Sequence, residues 1–291
     1  MAKLDVVGCL PSKVLGLQRD MLEKWSGPDG DLWVERIALT LQGKNPLEAV
    51  VRGPKWADEI RAQVRRKLKK FFRRRVQVDP IPGLWTSAFL ENAAKYNMRP
   101  VFFPELVLAE DLKLKDYVMP ESWLYKQIQE GKVSVDAITL KRRWCLADFS
   151  IGANYTDGSQ IFPDDPWAPI IERLRRDLKV VGKYDNTPWG SRFVITPQEW
   201  NDVVLAHMAS ALQVTRAQIR LERAGEFNFI GNVYDSNRGR FNMWEWFEDV
   251  FGDSSRLYGG GRRLGGLAYV DYDSASSRYV IFAARPLVSF T

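Results

Sequence analysis

The side chains best suited to acid–base, metal or redox chemistry are scarce in this chain of 291 residues. It contains one histidine, His207, and two cysteines, Cys9 and Cys145. These numbers exclude a two-histidine metal site, a zinc site with four Cys or His ligands, and a framework of several disulfides. A Ser-His-Asp relay would have to use His207, while enzymes based on carboxylates or lysines stay open. We therefore expect a binding protein and not an enzyme, with no catalytic residue, no cofactor and no metal.

Two short motifs resemble ligand sites but stand in the wrong context. Trp200-Asn201-Asp202 spells a calcium-binding tripeptide that works on a strand. Here it follows Thr196-Pro197-Gln198-Glu199, where Thr as N-cap, Pro at the first position and Glu at the third predict a helix. Gly259-Gly260-Gly261 lacks the lysine and the strand-to-helix context of a phosphate-binding loop. We predict a helix and a tight turn at these places, and a structural role for the mid-helix His207.

A run of nine cations without an acid lies between residues 61 and 75. The run carries +9 against a net charge of +6 for the whole chain, so the remainder carries −3. Apolar residues recur every four positions and predict one helix over about 53–76 with an apolar stripe: Ile60, Val64, Leu68 and Phe72. This helix could contact nucleic acid, a membrane surface or an acidic partner in a particle. Alternatively, its charges face solvent and its stripe packs on the next domain.

The remaining pattern divides the chain into two parts. Its composition is that of a globular protein, with 45% hydrophobic and 27% charged residues. Apolar periodicity predicts helices over 12–26 and 31–41, so residues 1–76 are expected to form a helical N-terminal region; residues 33–41 also permit an alternating strand. Residues 77–291 mix short strands with helices, and the predicted fold class is α+β. The absence of an 18-residue apolar run and of a signal peptide predicts synthesis in the cytoplasm and no membrane span.

Within residues 77–291 the pattern predicts elements of both kinds. Strands are expected over 98–108, 112–115, 133–140, 143–151 and 282–290. Helices are expected over 121–129, 169–179 and 196–212. From residue 222 onward the chain is rich in Gly, Tyr and Ser, and we expect short strands there.

The C-terminal quarter carries the most specific pattern. Its segments follow in the order Phe229-Ile230-Gly231-Asn232, Met243-Trp244-Glu245-Trp246-Phe247-Glu248-Asp249, Arg256-Leu257-Tyr258-Gly259-Gly260-Gly261, Gly265-Gly266-Leu267 and Ala284-Arg285-Pro286-Leu287-Val288. Over roughly residues 140–291 this order resembles the C-type-lectin-like domain shared by formylglycine-generating enzymes and by the variable proteins of diversity-generating retroelements. The chain departs from the family pattern at Ala283-Ala284, where Gly-Phe is usual, and it is longer between 232 and 244 than the shortest family version.

The branches of this family differ in the chemistry that they require. Formylglycine-generating enzymes need a pair of cysteines near the C-terminus to hold copper, and sugar-binding lectins need calcium ligands. Neither set follows Cys145, so the resemblance implies a retroelement variable protein. In that family adenine-directed mutagenesis rewrites the 3′ end of the gene, and a constant frame presents the varied side chains to a ligand. The resemblance assigns the frame to Trp244, Trp246, Gly259, Gly260, Gly265, Gly266 and Arg285.

The segment from about 256 to 282 matches the varied surface. Tyr, Ser, Arg, Asp and Gly dominate it, as in antibody-like binding loops. The predicted ligand contacts are Leu257, Tyr258, Arg262, Arg263, Leu264, Asp271, Asp273, Ser274, Arg278, Tyr279, Val280 and Phe282. We expect exposed side chains at Tyr258, Arg263, Asp271, Asp273, Arg278 and Tyr279.

The expected partner is a protein ligand or a cell-surface receptor, and the expected place of action is a virion or a cell surface. Two alternatives remain open from the residues. The segment 256–282 is an ordinary exposed hairpin, or the chain is a structural or nucleic-acid-contacting virion protein that acts through the basic helix 53–76.

Overall fold

The computed structural model describes residues 54–155, 160–182 and 187–290. The helices predicted at 12–26 and 31–41 lie outside the described residues. The chain divides into two compact units, residues 1–60 and residues 61–291. The second unit contains both helices and sheets, and the α+β class is confirmed.

The basic run lies on the longest helix of the described ranges, α1 (Lys55–Phe72). The other helices there are α2 (Ser87–Lys95), α3 (Ser122–Gln129), α4 (Ala168–Arg176), α5 (Pro197–Glu199), α6 (Leu205–Leu212) and α7 (Ala224–Val233). A π-helical stretch, Trp200–Val204, joins α5 to α6, so the predicted helical segment 196–212 is continuous. Of the helices in these ranges, none combines the length and the apolarity that a membrane span requires.

The strands form two four-stranded sheets and one short ribbon. The first sheet has the order β1 (Met98–Phe103), β4 (Arg143–Asp148), β10 (Pro286–Ser289) and β5 (Ile219–Leu221), all antiparallel. The second has the order β8 (Val270–Ser274), β7 (Ser255–Gly260), β6 (Trp244–Phe251) and β9 (Phe282–Ala284). In it β6 and β9 are parallel, and the other neighbours are antiparallel. β2 (Leu106–Val107) and β3 (Thr139–Leu140) form the ribbon.

Two of the predicted strands are wrong. Residues 112–115 form no strand, because the chain turns around them: the Leu112 amide donates to the Ala109 carbonyl at 3.0 Å. Half of 133–140 forms a 3-10 turn, Val135–Ile138, which precedes the two-residue β3. The Ser134 hydroxyl starts that turn by accepting the Asp136 amide at 3.2 Å. Such local side-chain bonds compete with strand pairing, and an alternating pattern does not reveal them.

Short strands follow residue 222 as expected, but helix α7 comes before them and was not predicted. The backbone amides at the start of α7 donate hydrogen bonds to carboxylates from two parts of the chain. The Ala224 amide donates to Asp249 Oδ2 at 2.8 Å, and the Arg223 amide donates to Glu226 Oε2 at 2.9 Å. A strand residue, Asp249, therefore accepts a hydrogen bond from one of the free amides at the start of α7. The local sequence around α7 does not reveal this long-range partner.

The predicted closing strand 282–290 is present but broken at Arg285. β9 precedes this residue and β10 follows it, so the chain passes from the second sheet to the first at this point. The buried Arg285 guanidinium donates from Nε to Glu245 Oε2 on β6 at 2.8 Å, and from Nη1 to the Ser150 carbonyl. One side chain thereby ties the two sheets together.

A second buried arginine completes this junction. Arg192 is fully buried and donates to Asp148 Oδ2 at 2.5 Å and to both oxygens of Asp165 at 2.6 and 2.7 Å. Burial alone would raise the pKa of Asp148, but the charges of Arg192 and Arg285 outweigh burial and hold that pKa below its ordinary value. The Asp148 carboxylate is therefore ionised and paired with Arg192.

We predict that Arg192→Ala lowers the free energy of unfolding by about 3–5 kcal/mol, because Asp148 and Asp165 would stay buried without a counter-charge. Urea unfolding followed by tryptophan fluorescence measures the change. The matched control is Arg176→Ala, which removes an exposed pair with Glu172 and should cost less than about 1 kcal/mol. Equal losses in the two variants would contradict the role given to the buried network.

Candidate ligand-binding face

One side of the second sheet carries a cluster of aromatic rings. In the strand register Trp246 lies opposite Tyr258, and Trp244 lies opposite Phe282. The Phe282 ring centroid is 4.6 Å from that of Trp246 and 4.5 Å from that of Tyr258. Asp271 is the cross-strand neighbour of Tyr258 and therefore shares this side of the sheet. We call these five side chains the aromatic face: Trp244, Trp246, Tyr258, Asp271 and Phe282.

The other side of the sheet belongs to the core. Leu257 points into it and is fully buried, so its prediction as a ligand contact is wrong. The cause is strand alternation, which turns the neighbour of Tyr258 inward. Gly259 lies on the same inner side, where a Cβ would stand 2.5 Å from the Tyr269 carbonyl oxygen and 2.7 Å from the Phe247 ring. No other residue fits at Gly259.

The turn after β7 projects three side chains into solvent. Arg262, Arg263 and Leu264 form a 3-10 turn and are exposed. Gly266 ends the turn with φ +61°, and a Cβ there would lie 2.6 Å from the Gly239 carbonyl oxygen. The backbone of the turn thus depends on glycine while its side chains are free of the core.

Two tyrosine hydroxyls converge on one carboxylate at the aromatic face. Tyr258 and Tyr269 both donate to Asp271 Oδ2, at 3.4 and 3.1 Å. Burial, the contact with the Tyr269 hydroxyl and the Asp271 charge raise the pKa of Tyr258, so its phenol stays protonated and remains a donor. Sequence reasoning missed Tyr269, although it lies only two residues before Asp271.

The loop before β9 is clamped to the start of α5. Arg278 donates to the two Glu199 oxygens at 2.6 and 2.9 Å and to the Val194 carbonyl at 3.1 Å. Arg278 is half-buried in this clamp, so the expectation that it is exposed is wrong. A cleft of about 210 Å³ lies beside the clamp and includes Gln198, Asp202 and Ser276 in its lining.

Tyr279 covers the end of the aromatic face. Its ring centroid is 4.8 Å from that of Phe282, and it is 42% exposed while Phe282 is 4% exposed. The prediction of Phe282 as a ligand contact is therefore wrong, because Tyr279 and the two tryptophans enclose its ring. Asp273, on β8, accepts the Ser277 hydroxyl at 2.7 Å and so helps to shape the loop between β8 and β9.

The structure sorts the twelve predicted contacts by exposure. Five of them are exposed, and we call these the rim: Arg262, Arg263, Leu264, Ser274 and Tyr279. Another five are half-buried: Tyr258, Asp271, Asp273, Arg278 and Val280. The expectation of exposed side chains is therefore wrong for Tyr258, Asp271 and Asp273, as it is for Arg278, because these residues pack against or bond to their neighbours. Val280 packs against a buried cluster that contains Phe193 and Met243. Of the frame residues, Trp246, Gly259, Gly260, Gly266 and Arg285 are buried, Trp244 is half-buried and Gly265 is exposed.

A second aromatic group lies on the opposite side of β8 and was missed. Tyr272 is 43% exposed and stacks on Phe251, with 3.8 Å between ring centroids. Trp123 on α3 lies parallel to both rings at 5.9 Å. The alternation Val-Asp-Tyr-Asp-Ser over 270–274 was the available signal, since it places Tyr272 and Asp271 on opposite sides of the strand.

The structure gives structural roles to the side chains that the sequence analysis considered for catalysis or metal binding. His207 Nδ1 lies 3.0 Å from the Val203 carbonyl oxygen, one helical turn earlier. Burial raises the pKa of the Cys145 thiol to about 12, so the reactive thiolate is suppressed. Asn201 and Asp202 lie on the π-helical stretch, as the helix prediction requires. Among the described residues, no three His, Cys, Asp or Glu side chains cluster as metal ligands would.

Comparison of the chain with protein-family models, curated proteins and solved structures found no match. The assignment of a function therefore depends on the geometry and chemistry of the aromatic face, the rim and the charged surfaces.

We predict that the aromatic face and the rim respond differently to truncation. Trp246→Ala should lower the free energy of unfolding by about 3–5 kcal/mol, because its ring is 1% exposed. Arg262→Ala and Arg263→Ala should change it by no more than about 0.5 kcal/mol. Urea unfolding measures all three variants. A loss at either arginine as large as that at Trp246 would mean that the turn is part of the core.

We also predict that the Glu199 clamp makes stability sensitive to acid. Burial alone would raise the pKa of Glu199, but hydrogen bonds from Arg278 and from the Thr196 and Val181 amides hold it below the ordinary value of 4.5. The stability that this carboxylate confers is complete above about pH 4.5 and is lost as the pH falls through the lowered pKa.

Glu199→Gln should therefore destabilise the protein near neutral pH and reduce the further loss of stability between about pH 5 and pH 3. Urea unfolding at each pH gives both quantities. Glu172→Gln, at an exposed pair on α4, is the control and should keep the wild-type pH dependence. A Glu199→Gln profile parallel to wild type would contradict the prediction.

Proposed function

We propose that the protein binds a ligand through the rim and the accessible part of the aromatic face, as a variable protein of the retroelement type on a C-type-lectin-like domain. The observation that carries the proposal is the separation of two classes of residue within 256–282. Gly259 and Gly266 stand where no side chain fits, whereas the rim side chains between and beyond them are exposed. A surface that changes while its scaffold persists needs this separation.

The chemistry of the rim suits recognition of another protein. Tyr279 presents a large, rigid and partly exposed ring, and Arg262 and Arg263 each present several hydrogen-bond donors. Tyr and Arg are the types that most often dominate binding energy at protein interfaces. The Arg278–Glu199 clamp holds the loop that carries Tyr279, so little conformational freedom is lost when a partner binds.

The strand connections support the C-type-lectin-like part of the proposal. The last strand, β10, inserts between β4 and β5 of the first sheet, which brings the C-terminal end back to the sheet that holds β1. Arg285, the frame residue of the final strand segment, stands between β9 and β10 and bonds to Glu245 of the Trp-Glu-Trp segment. The two motifs on which the resemblance depends are thus joined by a direct buried contact.

The proposed partner is a protein ligand or a cell-surface receptor, and the proposed setting is a virion or a cell surface. No catalytic step is proposed. Asp271 already accepts two tyrosine hydroxyls, and the Cys145 thiol is buried.

The gene itself provides the decisive test. We expect a near-identical copy of the segment that encodes 256–282, next to a reverse-transcriptase gene and different from the coding segment at adenines. The differences should fall on the codons of rim residues such as Arg262, Arg263 and Tyr279. The codons of Gly259 and Gly266 are the internal control and should be identical in the two copies. A missing copy, or differences concentrated in the control codons, would overturn the proposal.

A further inference from the structure

The outward side of α1 is a dense array of positive charge. Arg65, Arg66, Lys69, Lys70 and Arg73 are exposed there, and we call them the basic face. Within the described residues, only Arg73 of these five has a carboxylate at salt-bridge distance, that of Asp116 at 3.6 Å. The other four cations have no counter-ion in that part of the chain. Such an unneutralised array attracts polyanions.

The opposite side of α1 is already occupied. Val64 and Leu68 are buried, and Phe71 lies against Phe229 with 5.8 Å between ring centroids. Two further cations of α1 bond to backbone carbonyls of the same unit: the half-buried Arg61 donates to the Val78 carbonyl at 2.8 Å, and the exposed Lys67 donates to the Tyr234 carbonyl at 3.2 Å. An interfacial membrane helix needs a free apolar side to enter the lipid, and α1 from residue 61 onward does not offer one.

The spacing of the basic face suits a row of phosphates. Arg65, Lys69 and Arg73 follow one another at intervals of four residues, about 6 Å each, so the row is about 12 Å long. One strand of duplex DNA carries a charge every ~3.4 Å along its axis, so this row spans three or four phosphates. At the end of α1 Arg73 adopts φ +57°, and Arg74 and Arg75 then line a cleft of about 240 Å³.

We propose that the basic face binds the phosphate backbone of duplex nucleic acid without sequence preference. An arginine guanidinium can donate two parallel hydrogen bonds to the oxygens of one phosphate, and a lysine ammonium contributes a compact positive charge. Phe71 and Phe72 are half-buried against Phe229, and Phe72 also lines the cleft beside Arg74 and Arg75. The basic face itself contains no aromatic residue. A charged ridge without aromatic side chains favours backbone contact over base reading or single-strand binding. This surface is independent of the rim and of the proposed ligand.

The test uses the full chain and a fluorescein-labelled 24-base-pair DNA duplex of arbitrary sequence, with binding followed by fluorescence anisotropy. With four or five phosphates neutralised, the slope of log affinity against log salt should be about −4. The affinity should therefore fall roughly 10²–10³-fold between 50 and 200 mM salt. A second duplex of unrelated sequence should bind equally well.

The informative variant is Arg65→Gln, Arg66→Gln, Lys69→Gln and Lys70→Gln combined. It should weaken binding at 50 mM salt by at least about 30-fold and bring the salt slope to about −1. The matched control removes the same charge elsewhere, at exposed residues, by combining Lys95→Gln, Lys126→Gln, Lys141→Gln and Arg176→Gln. The control should bind like wild type. Circular dichroism and urea unfolding verify that both variants are folded.

Three results would overturn the proposal: no binding of either duplex at 50 mM salt, equal weakening in the two charge variants, or a strong preference for one duplex. A parallel measurement uses vesicles of phosphatidylcholine with 30% phosphatidylserine. Binding to these vesicles without binding to DNA would assign the basic face to an anionic membrane and would also overturn it. Since none of these measurements involves the rim, they leave the gene-copy test of the ligand-binding proposal unaffected.

Discussion

Two buried arginines hold the main sheets in one arrangement. Arg192 pairs with Asp148 at the end of β4, and Arg285 reaches Glu245 on β6 from the point where the chain changes sheets. Removing such groups from water costs several kcal/mol for each ion, and only close, well-directed hydrogen bonds offset that cost. The partners must therefore occupy their observed positions, so the network specifies the geometry of the junction more than it adds to the net stability.

The positions of the aromatic face and the rim depend on this junction. Phe282 stands three residues before Arg285, so β9 is fixed at its C-terminal end by a buried charge. On the other side of Tyr279, Arg278 is held by Glu199. The loop that carries Tyr279 thus runs between two anchored arginines. Side chains on this loop can differ without displacing the sheet, because the two anchoring arginines, Arg278 and Arg285, are not rim residues.

The rim and the basic face would bind their partners through different kinds of interaction. The rim combines two arginines, a leucine and a serine with a large tyrosine ring that lies over the buried Phe282, which suits a selective interface with a defined shape. The basic face is an array of like charges, and its attraction for a polyanion is long-range and weakened by salt. Packing of Phe71 and Phe72 on Phe229 separates the apolar side of α1 from its charged side, which is why the charges stay together as one surface.

Sequence alone determined the features that depend on neighbours along the chain. Among them are the helical register of α1, the capping box at Thr196 and Glu199, and the turn after Gly259. Only the tertiary structure decided which predicted contacts are buried, that Glu199 clamps Arg278, and that Asp249 helps to start α7. Those outcomes depend on groups that meet across 25 to 90 residues of chain, and the periodicity of a local segment carries no information about a partner that the fold supplies from so far away.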